Sequence, residues 1–414
     1  MLMIVIFGKW KVGSWLSHLL SVLSLPHVLM DDQDFDPQIL AEAETILVSP
    51  GVKQSHAVYT DYMPKIKSEL NFLGSLLPSI GFATKPSWIG ITATNGKSTT
   101  TWIGYLLLKQ LFPNRHVWIT WNFDIPVSEI LATIIENNQL HESHIFVVEC
   151  SSFMLYGLDN FTIDFGLLLN IARDHLDWHK DWEEYRESKF NLLKASRTCI
   201  VSHRLYEELD LETQTRSKFF YPVFDLSKTQ FLWSHNQENF AAVALALETY
   251  YEQHDLPFDS EHFYTILATI PPLDHRLKLL RTLNWISFYD DWICTSSQAL
   301  HAALDSFYQP LVLLAGWYDK WDDYHRLHND FASRVHYAVL FGQTASKFQL
   351  LCEANNIPFI VVDNLHDAVQ KSYHYAKEHH IELILFSPGA ASFDMFKNVY
   401  DRVGQFVHEV SLLS

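Results

Sequence analysis

The apolar run Trp88–Thr92 passes through Ala93 straight into Thr94-Asn95-Gly96-Lys97-Ser98-Thr99, and a helix-forming segment, Thr100–Leu111, follows at once. A strand that hands its chain to a helix through so short a loop places both in one α/β layer. The amides at the helix N-terminus then point outward at the C-terminal edge of a sheet. Gly96 lets the backbone come close to phosphate oxygens, Lys97 supplies a compact charge for the outer phosphates, and the Ser98 hydroxyl can ligate Mg²⁺. The common form of such a loop has a glycine where Ile91 stands, so this one is shortened. The pattern predicts a nucleotide phosphate site at Thr94–Thr99; the alternative is an ordinary strand-to-helix turn.

The remaining chain is read around that loop. Its 414 residues suggest about three domains. Apolar residues make up 48% and charged residues 19%, which is the composition of packed cores and not of disorder. The net charge of −18 leaves no basic footprint for non-specific nucleic-acid binding. Cys150, Cys199, Cys294 and Cys352 are scattered without zinc spacing and read as buried thiols of a reducing compartment. No apolar run is long enough to span a membrane. The first lysine, Lys9, follows the first apolar run instead of preceding it, so a cytoplasmic protein without a signal peptide is expected.

The strand Met1–Phe7, the helix Ser14–Leu25 and the strand His27–Met30 make a βαβ start with Gly8 and Gly13, although Trp10 stands where a middle glycine would complete a dinucleotide fingerprint. A strand at Thr45–Val48 ends in Ser49-Pro50-Gly51. Lys85-Pro86 reads as a linker and Pro271-Pro272 as a second boundary. Strands are expected at Ile145–Val148 and Phe165–Asn170, and helices at Trp182–Ala195 and from Asn236 to Tyr250. After Pro272, strands beginning with Trp285–Tyr289 alternate with helices ending in Phe393–Val407, which predicts a parallel sheet with crossover helices.

Three strings near the middle of the chain bear on chemistry. Val148-Glu149-Cys150-Ser151-Ser152-Phe153 ends a strand on a carboxylate, a position suited to Mg²⁺ beside a phosphate loop; taken alone, Glu149 reads better as an edge carboxylate in water. Asn170-Ile171-Ala172-Arg173-Asp174-His175-Leu176-Asp177 offers His175 as a second metal ligand, one histidine among 22. Tyr185-Arg186-Glu187-Ser188-Lys189 sets Lys189 on a helix, where the plain reading is a surface cation.

With the phosphate loop, these strings resemble the Mur ligases, ATP-dependent amide-forming enzymes of peptidoglycan synthesis. The family loop reads T-G-T-N-G-K-S/T-T, here with Ala93 for the first glycine, and its other strings read E-L-S-S-F-Q-L, N-x-x-x-D-H-x-D and Y-x-x-x-K. Trp121-Asn122 with Pro126 resembles G-N-I-G-x-P, His235-Asn236 with Asn239 resembles H-N-x-x-N, and Asp274-His275-Arg276 resembles P-H-R. Tyr289–Thr295 keeps Asp291 and Thr295 of I-N-D-S-K-A-T, but Ile293 replaces the lysine. Leu314–Lys320 resembles A-G-G-Y-D-K, and Ser387–Asn398 resembles S-P-A-x-A-S-F-D-Q-F-K-N of the branch that adds D-glutamate.

The resemblance implies three α/β domains: a Rossmann-like UDP-binding domain over 1–85, a central P-loop ATPase-like domain with a mostly parallel sheet over 86–272, and a Rossmann-like amino-acid domain over 273–414. It implies that ATP activates UDP-N-acetylmuramoyl-L-alanine as an acyl phosphate, which D-glutamate attacks. The implied ATP contacts are Thr94, Asn95, Gly96, Lys97, Ser98, Thr99, Asn236, Arg276 and Asp291. The implied substrate contacts are Asp31, Ser49, Gly51, Asn122, Thr295, Lys320, Ser392 and Phe393. Lys97, His175, Lys189 and Lys320 would be catalytic. Two Mg²⁺ ions would be held through Ser98, Glu149, His175 and a carbamylated Lys189. A cytoplasmic monomer without membrane or nucleic-acid partner is expected. Two alternatives remain at this point: a folylpolyglutamate-type ligase of the same superfamily, and a degenerate ligase kept as a nucleotide-binding scaffold.

Overall fold

The computed structural model describes residues 3–121, 125–176, 178–231, 236–274, 276–292, 294–317, 324–390 and 399–413, without the side chains of 399–404. Among these residues three sheets form, and the chain divides into two compact units that meet in sequence at Pro271.

The first unit carries two sheets. β1 (Ile4–Phe7), α1 (Lys11–Val22), β2 (His27–Met30), α2 (Pro37–Glu42), β3 (Thr45–Val48), α3 (Ala57–Tyr62), β4 (Ile66–Lys67) and α4 (Glu69–Ile80) build a parallel sheet of order β2-β1-β3-β4. The second sheet follows from β5 (Ser87–Thr92), α5 (Lys97–Leu111), β6 (His116–Thr120), α6 (Val127–Glu136), β7 (His144–Glu149), α7 (Ser152–Leu155), β8 (Ile163–Leu168), α8 (Trp182–Ala195), β9 (Ser196–Ser202), α9 (Leu211–Arg216) and β10 (Ser217–Phe220). Its order is β10-β9-β8-β5-β7-β6, every pair parallel, with α10 (Asn236–Gln253) and α11 (Ser260–Leu267) closing the unit. All six residues of β7 are buried, as a central strand covered on both faces requires.

Residue 85 falls between the two sheets, and the compact unit spans both. Leu16, Leu19 and Leu20 of α1 share one core with Ile130, Leu131 and Ile134 of α6. Across the same junction Glu69 accepts a hydrogen bond from the Ser128 amide (2.8 Å), and the Trp178 indole donates to the Val52 carbonyl (2.8 Å).

The second unit is one sheet, from β11 (Lys278–Leu283), β12 (Ile286–Asp290), α12 (Ser297–Asp305), β13 (Leu311–Gly316), α13 (His328–Arg334), β14 (Val335–Phe341), α14 (Ala345–Ala354), β15 (Phe359–Val361), α15 (Leu365–Glu378), β16 (Leu383–Phe386) and α16 (Val399–Leu412). The order is β11-β12-β16-β13-β14-β15, parallel except for β11 against β12.

That antiparallel edge corrects the expectation of a strand starting at Trp285. Asn284 (φ 46°) and Trp285 (φ 65°) are instead the two central residues of a tight hairpin, whose twist requires positive φ at both. The first helix begins at Lys11 and not Ser14. It ends at Val22, before Leu25, because Ser24 turns left-handed (φ 56°) and the Leu25 amide bonds back to the Leu20 carbonyl. The strand expected at Phe165–Asn170 is β8, Ile163–Leu168; beyond it Leu169 still bonds to Thr92 of β5, and Asn170 accepts from the Thr94 amide of the phosphate loop. Strands β6, β9 and β10 had no clear sequence signal, and α4 hid behind its internal Gly74 and Pro78. The four cysteines are free and buried, and no helix among the described residues is long and apolar enough to cross a membrane.

Gly74 is where α4 meets the loop before β8: a methyl group there would collide with the Asn160 carbonyl. Gly74→Ala should therefore destabilise the protein by about 1–3 kcal/mol despite alanine's better helix propensity. A lowered thermal midpoint in calorimetry checks this; an unchanged or raised midpoint refutes it.

Candidate active site

Parallel sheets gather their loops at the C-terminal strand edges, and the second sheet does so with the most chemistry. Between β5 and α5, Gly96 takes φ 88°, which favours glycine, and a Cβ there would run into Asn239 Oδ1. Asn239 accepts from the Thr100 hydroxyl (3.0 Å) and donates to Asn236 Oδ1 (2.9 Å), so the start of α10 is built onto the loop. On the other side, the Asn95 amide donates to Asn170 Oδ1 (2.9 Å), while Asn170 Nδ2 donates to the Asn95 carbonyl (3.1 Å) and to Glu238 (2.8 Å). Lys97 folds back over the loop, donating to the carbonyls of Ala93 (2.8 Å) and Thr94 (2.9 Å).

Glu149 ends β7 beside β5, and its carboxylate accepts from Ser98 Oγ at 3.0 Å. A hydroxyl and a carboxylate this close are hard oxygen donors suited to Mg²⁺. Among the described residues no three His, Cys, Asp or Glu side chains converge as a metal cage. That is the ordinary state of a Mg²⁺ site completed by phosphates and water.

Lys189 is fully buried, one helical turn after Tyr185 on α8. Its Nζ donates to the Ala93 carbonyl at 2.6 Å and lies 4.9 Å from the Tyr185 ring centroid. Burial first, and then the nearby Lys97 charge, push the Lys189 amine well below the usual lysine range, so the sequence alternative of a surface cation is excluded. His175 sits in a left-handed turn (φ 53°) after β8, its backbone amide bonded to Asp174 (2.8 Å) and its ring 4.9 Å from that of Phe153 and 6.3 Å from that of Tyr185. Thus Thr94–Thr99, Glu149, His175, Lys189 and Asn236 lie around one sheet edge; Asn122 lies outside the described residues.

At the corresponding edge of the first sheet, Ser49 Oγ donates to the Gly8 carbonyl (2.9 Å). Gly51 lies against the Trp10 ring, and Asp31 follows β2 with its amide bonded to Asp34. In the second unit, Asp291 is buried at the ends of β12 and β16, where it accepts from Ser387 Oγ (2.8 Å). Burial raises its pKa to about 7 even though the Arg276 charge opposes the shift. Thr295 is exposed nearby in sequence, and Lys320, Ser392 and Phe393 lie outside the described residues.

A family model described as the Mur ligase middle domain matches residues 91–240. The UDP-N-acetylmuramoylalanine–D-glutamate ligase of Aquifex aeolicus is 29% identical over 394 residues, 91% of this chain and 89% of its own length. That of Pediococcus pentosaceus is 29% identical over 403 residues, 89% of this chain and 83% of its own. Residues 91–240 thus match the middle domain of the Mur ligases, and the chain is similar to enzymes of that family along most of its length. The fold agrees: the solved MurF ligase of Thermotoga maritima in complex with ADP superposes with a TM-score of 0.57 at 16% identity, covering 92% of each chain.

The sequence analysis passed over Tyr185, Asn170, Asn239 and Glu238 as supports of the phosphate loop, and Ser387 as the partner of Asp291. All of them stood inside the matched strings, Glu238 at an unspecified position, so the signal was there; what was missing was the pairing across distant segments.

Asp291 has a consequence for stability. A carboxyl whose folded pKa lies above its unfolded value near 3.9 favours the fold below that value, and the contribution is lost as pH rises through about 7. Asp291→Asn should abolish that dependence, flattening the stability difference between pH 5 and pH 8 by on the order of a few kcal/mol. Parallel urea titrations at the two pH values check it; equal slopes in both proteins would sink it.

Proposed function

We propose that this chain is a Mur ligase that joins D-glutamate to UDP-N-acetylmuramoyl-L-alanine at the expense of ATP, in the making of peptidoglycan precursors. The observation that carries the reading is the Ser98–Glu149 oxygen pair set against a glycine-turned loop that bears Lys97. The relatives' shared name supplies the substrates.

In this reading a carboxylate oxygen of the alanyl group attacks the γ-phosphorus of ATP and ADP leaves. The D-glutamate amine then attacks the acyl carbon, phosphate departs with the bonding pair, and the amine loses a proton. Thr94–Thr99 cradle the phosphates with backbone amides, and Lys97 turns from the Ala93 and Thr94 carbonyls to the charge that develops on the γ-phosphoryl group. Mg²⁺, held through Ser98 and Glu149, would neutralise phosphate charge. Asn236 and Arg276 with Asp291 serve the nucleotide. Asp31, Ser49 and Gly51 serve the UDP group, and Asn122 the sugar-peptide portion. Thr295, Lys320, Ser392 and Phe393 serve D-glutamate, with Ile293 in place of a family lysine. The functional domains are 1–85, 86–272 and 273–414, acting in a cytoplasmic monomer.

Lys189 carries the second part of the proposal. A buried amine held neutral can add CO₂, losing one proton and becoming a carbamate. That anion beside His175 would hold a second Mg²⁺, where an ammonium would repel one.

Phosphate release from ATP in the presence of UDP-N-acetylmuramoyl-L-alanine tests the activity. It should require D-glutamate, with L-glutamate and other amino acids inert; release driven best by another amino acid would overturn the acceptor assignment. Lys97→Ala should lower kcat by about 10²-fold or more while leaving the thermal midpoint in place. Unchanged turnover would remove Lys97 from the site. Lys189→Ala should lose activity and regain part of it with a short carboxylic acid, and the unsubstituted protein should need bicarbonate in CO₂-depleted buffer. Full activity of Lys189→Ala without CO₂ would refute the carbamate.

A further inference from the structure

Tyr185 is fully buried, and its hydroxyl lies 2.9 Å from Thr94 Oγ1 in the phosphate loop. The direction of that bond follows from what surrounds it. A threonine hydroxyl has one hydrogen to give and two lone pairs. Thr94 Oγ1 accepts from the Ala172 amide (2.9 Å) and reaches the Ala172 carbonyl (3.1 Å), the only one of its three partners that cannot donate. The hydrogen of Thr94 therefore goes to Ala172, and Tyr185 must be the donor to Thr94. Burial and the Asp174 charge both push the phenol's pKa upward, which keeps that proton in place.

The same ring does a second job. Tyr185 and Lys189 stand four residues apart on α8, so they share a face, and the amine lies 4.9 Å from the ring centroid while bonding to the Ala93 carbonyl. Ala93 and Thr94 are consecutive. One side chain thus holds the loop through Thr94 and seats, beside Ala93, the lysine of the proposed carbamate. Ala172, the third partner, precedes His175 in the segment after β8, so the phosphate loop and the candidate metal segment meet at this hydroxyl.

We infer that Tyr185 is a positioning residue of the ligation reaction: its hydroxyl fixes the phosphate loop through Thr94, and its ring face seats Lys189. The inference rests on the reading of this site as an ATP-dependent ligase. It assigns separable effects to the two parts of one side chain, and conservative variants divide them. Tyr185→Phe keeps the ring and loses the donor; Tyr185→Leu loses both.

The experiment measures ATP binding by calorimetry, together with KM for ATP, KM for D-glutamate and the bicarbonate concentration for half-maximal activity. Tyr185→Phe should weaken ATP binding and raise KM for ATP by about tenfold, the scale of one buried hydrogen bond, with KM for D-glutamate and the bicarbonate requirement unchanged. Thr94→Val added to Tyr185→Phe should weaken ATP binding no further than Thr94→Val alone, since both remove the same bond. Tyr185→Leu should in addition shift the bicarbonate requirement several-fold. Equal ATP affinity in Tyr185→Phe and the unsubstituted protein, or fully additive losses in the double variant, would overturn the inference. So would a fall in thermal midpoint with no change in either ATP constant, which is what a packing role alone produces. Calorimetry needs no acceptor, so turnover with a different amino acid would strike the D-glutamate reading and leave this result standing.

Discussion

Two lysines reach for one carbonyl. The Ala93 oxygen accepts from Lys97 at 2.8 Å and from Lys189 at 2.6 Å, and the two ammonium groups must repel at that range. Lys97 is part-buried and Lys189 wholly so; the lower-dielectric site carries the larger desolvation penalty, and the Lys97 field adds to it. Burial and the Lys97 charge outweigh the opposing pull of Asp174, Cys150 and Glu149 and hold the Lys189 amine well below the usual lysine range. The arrangement also explains why the site needs oxygen donors from elsewhere. Ser98, next to Lys97 at the start of α5, and Glu149, at the end of β7, supply them.

That crowding is tolerable only because the loop is braced from both sides. Asn170 clamps the Asn95 amide and carbonyl together, Tyr185 and Ala172 fix Thr94, and Asn239 closes against Gly96. The braces come from the end of β8, from α8 and from α10, which are separated widely in sequence. A doubly wound sheet brings such segments together because all its strands release their loops at one edge. Rigid support of this kind is what allows backbone amides to stay aimed at phosphate without rearranging during the reaction.

That residues 94–99, Glu149, His175 and Lys189 come together at one sheet edge was legible from the sequence because each lies within a string of fixed spacing next to a strand or on a helix. The parallel order of the sheet after Pro271 was legible because apolar runs alternated with amphipathic ones, whereas that of the central sheet came only from the family resemblance. The burial of Lys189 was not, because nothing local distinguishes a lysine facing α8's packed side from one facing water; only the identity of Tyr185 one turn earlier hinted at it. Strands β9 and β10 escaped because Ser196, Arg197, Ser217 and Lys218 break the apolar pattern. The hairpin at Asn284-Trp285 escaped because tryptophan is an unusual residue at positive φ, and tertiary packing overrode the preference.

The departures from the family pattern differ in weight, and backbone conformation tells them apart. Positive φ favours glycine, and in the phosphate loop Gly96 combines it with a Cβ position that Asn239 occupies, whereas Ala93 is absent from the left-handed residues. The Ala93 methyl is fully buried in the core with Ile91 and Leu169, so the substitution fills space and leaves the carbonyl that both lysines use. Trp10 likewise needs no glycine, since its φ is −75° at the start of α1. Its effect is steric: the indole is 60% exposed and lies on Gly51, over the edge where Gly8 and Ser49 meet. A middle glycine would leave that edge open to the backbone-close approach of a diphosphate, whereas here an aromatic wall stands beside it. The first departure is neutral to the chemistry because it preserves a backbone acceptor. The second sets an aromatic wall over the edge where Gly8 and Ser49 meet, a steric change that the first sheet bears and the phosphate loop does not.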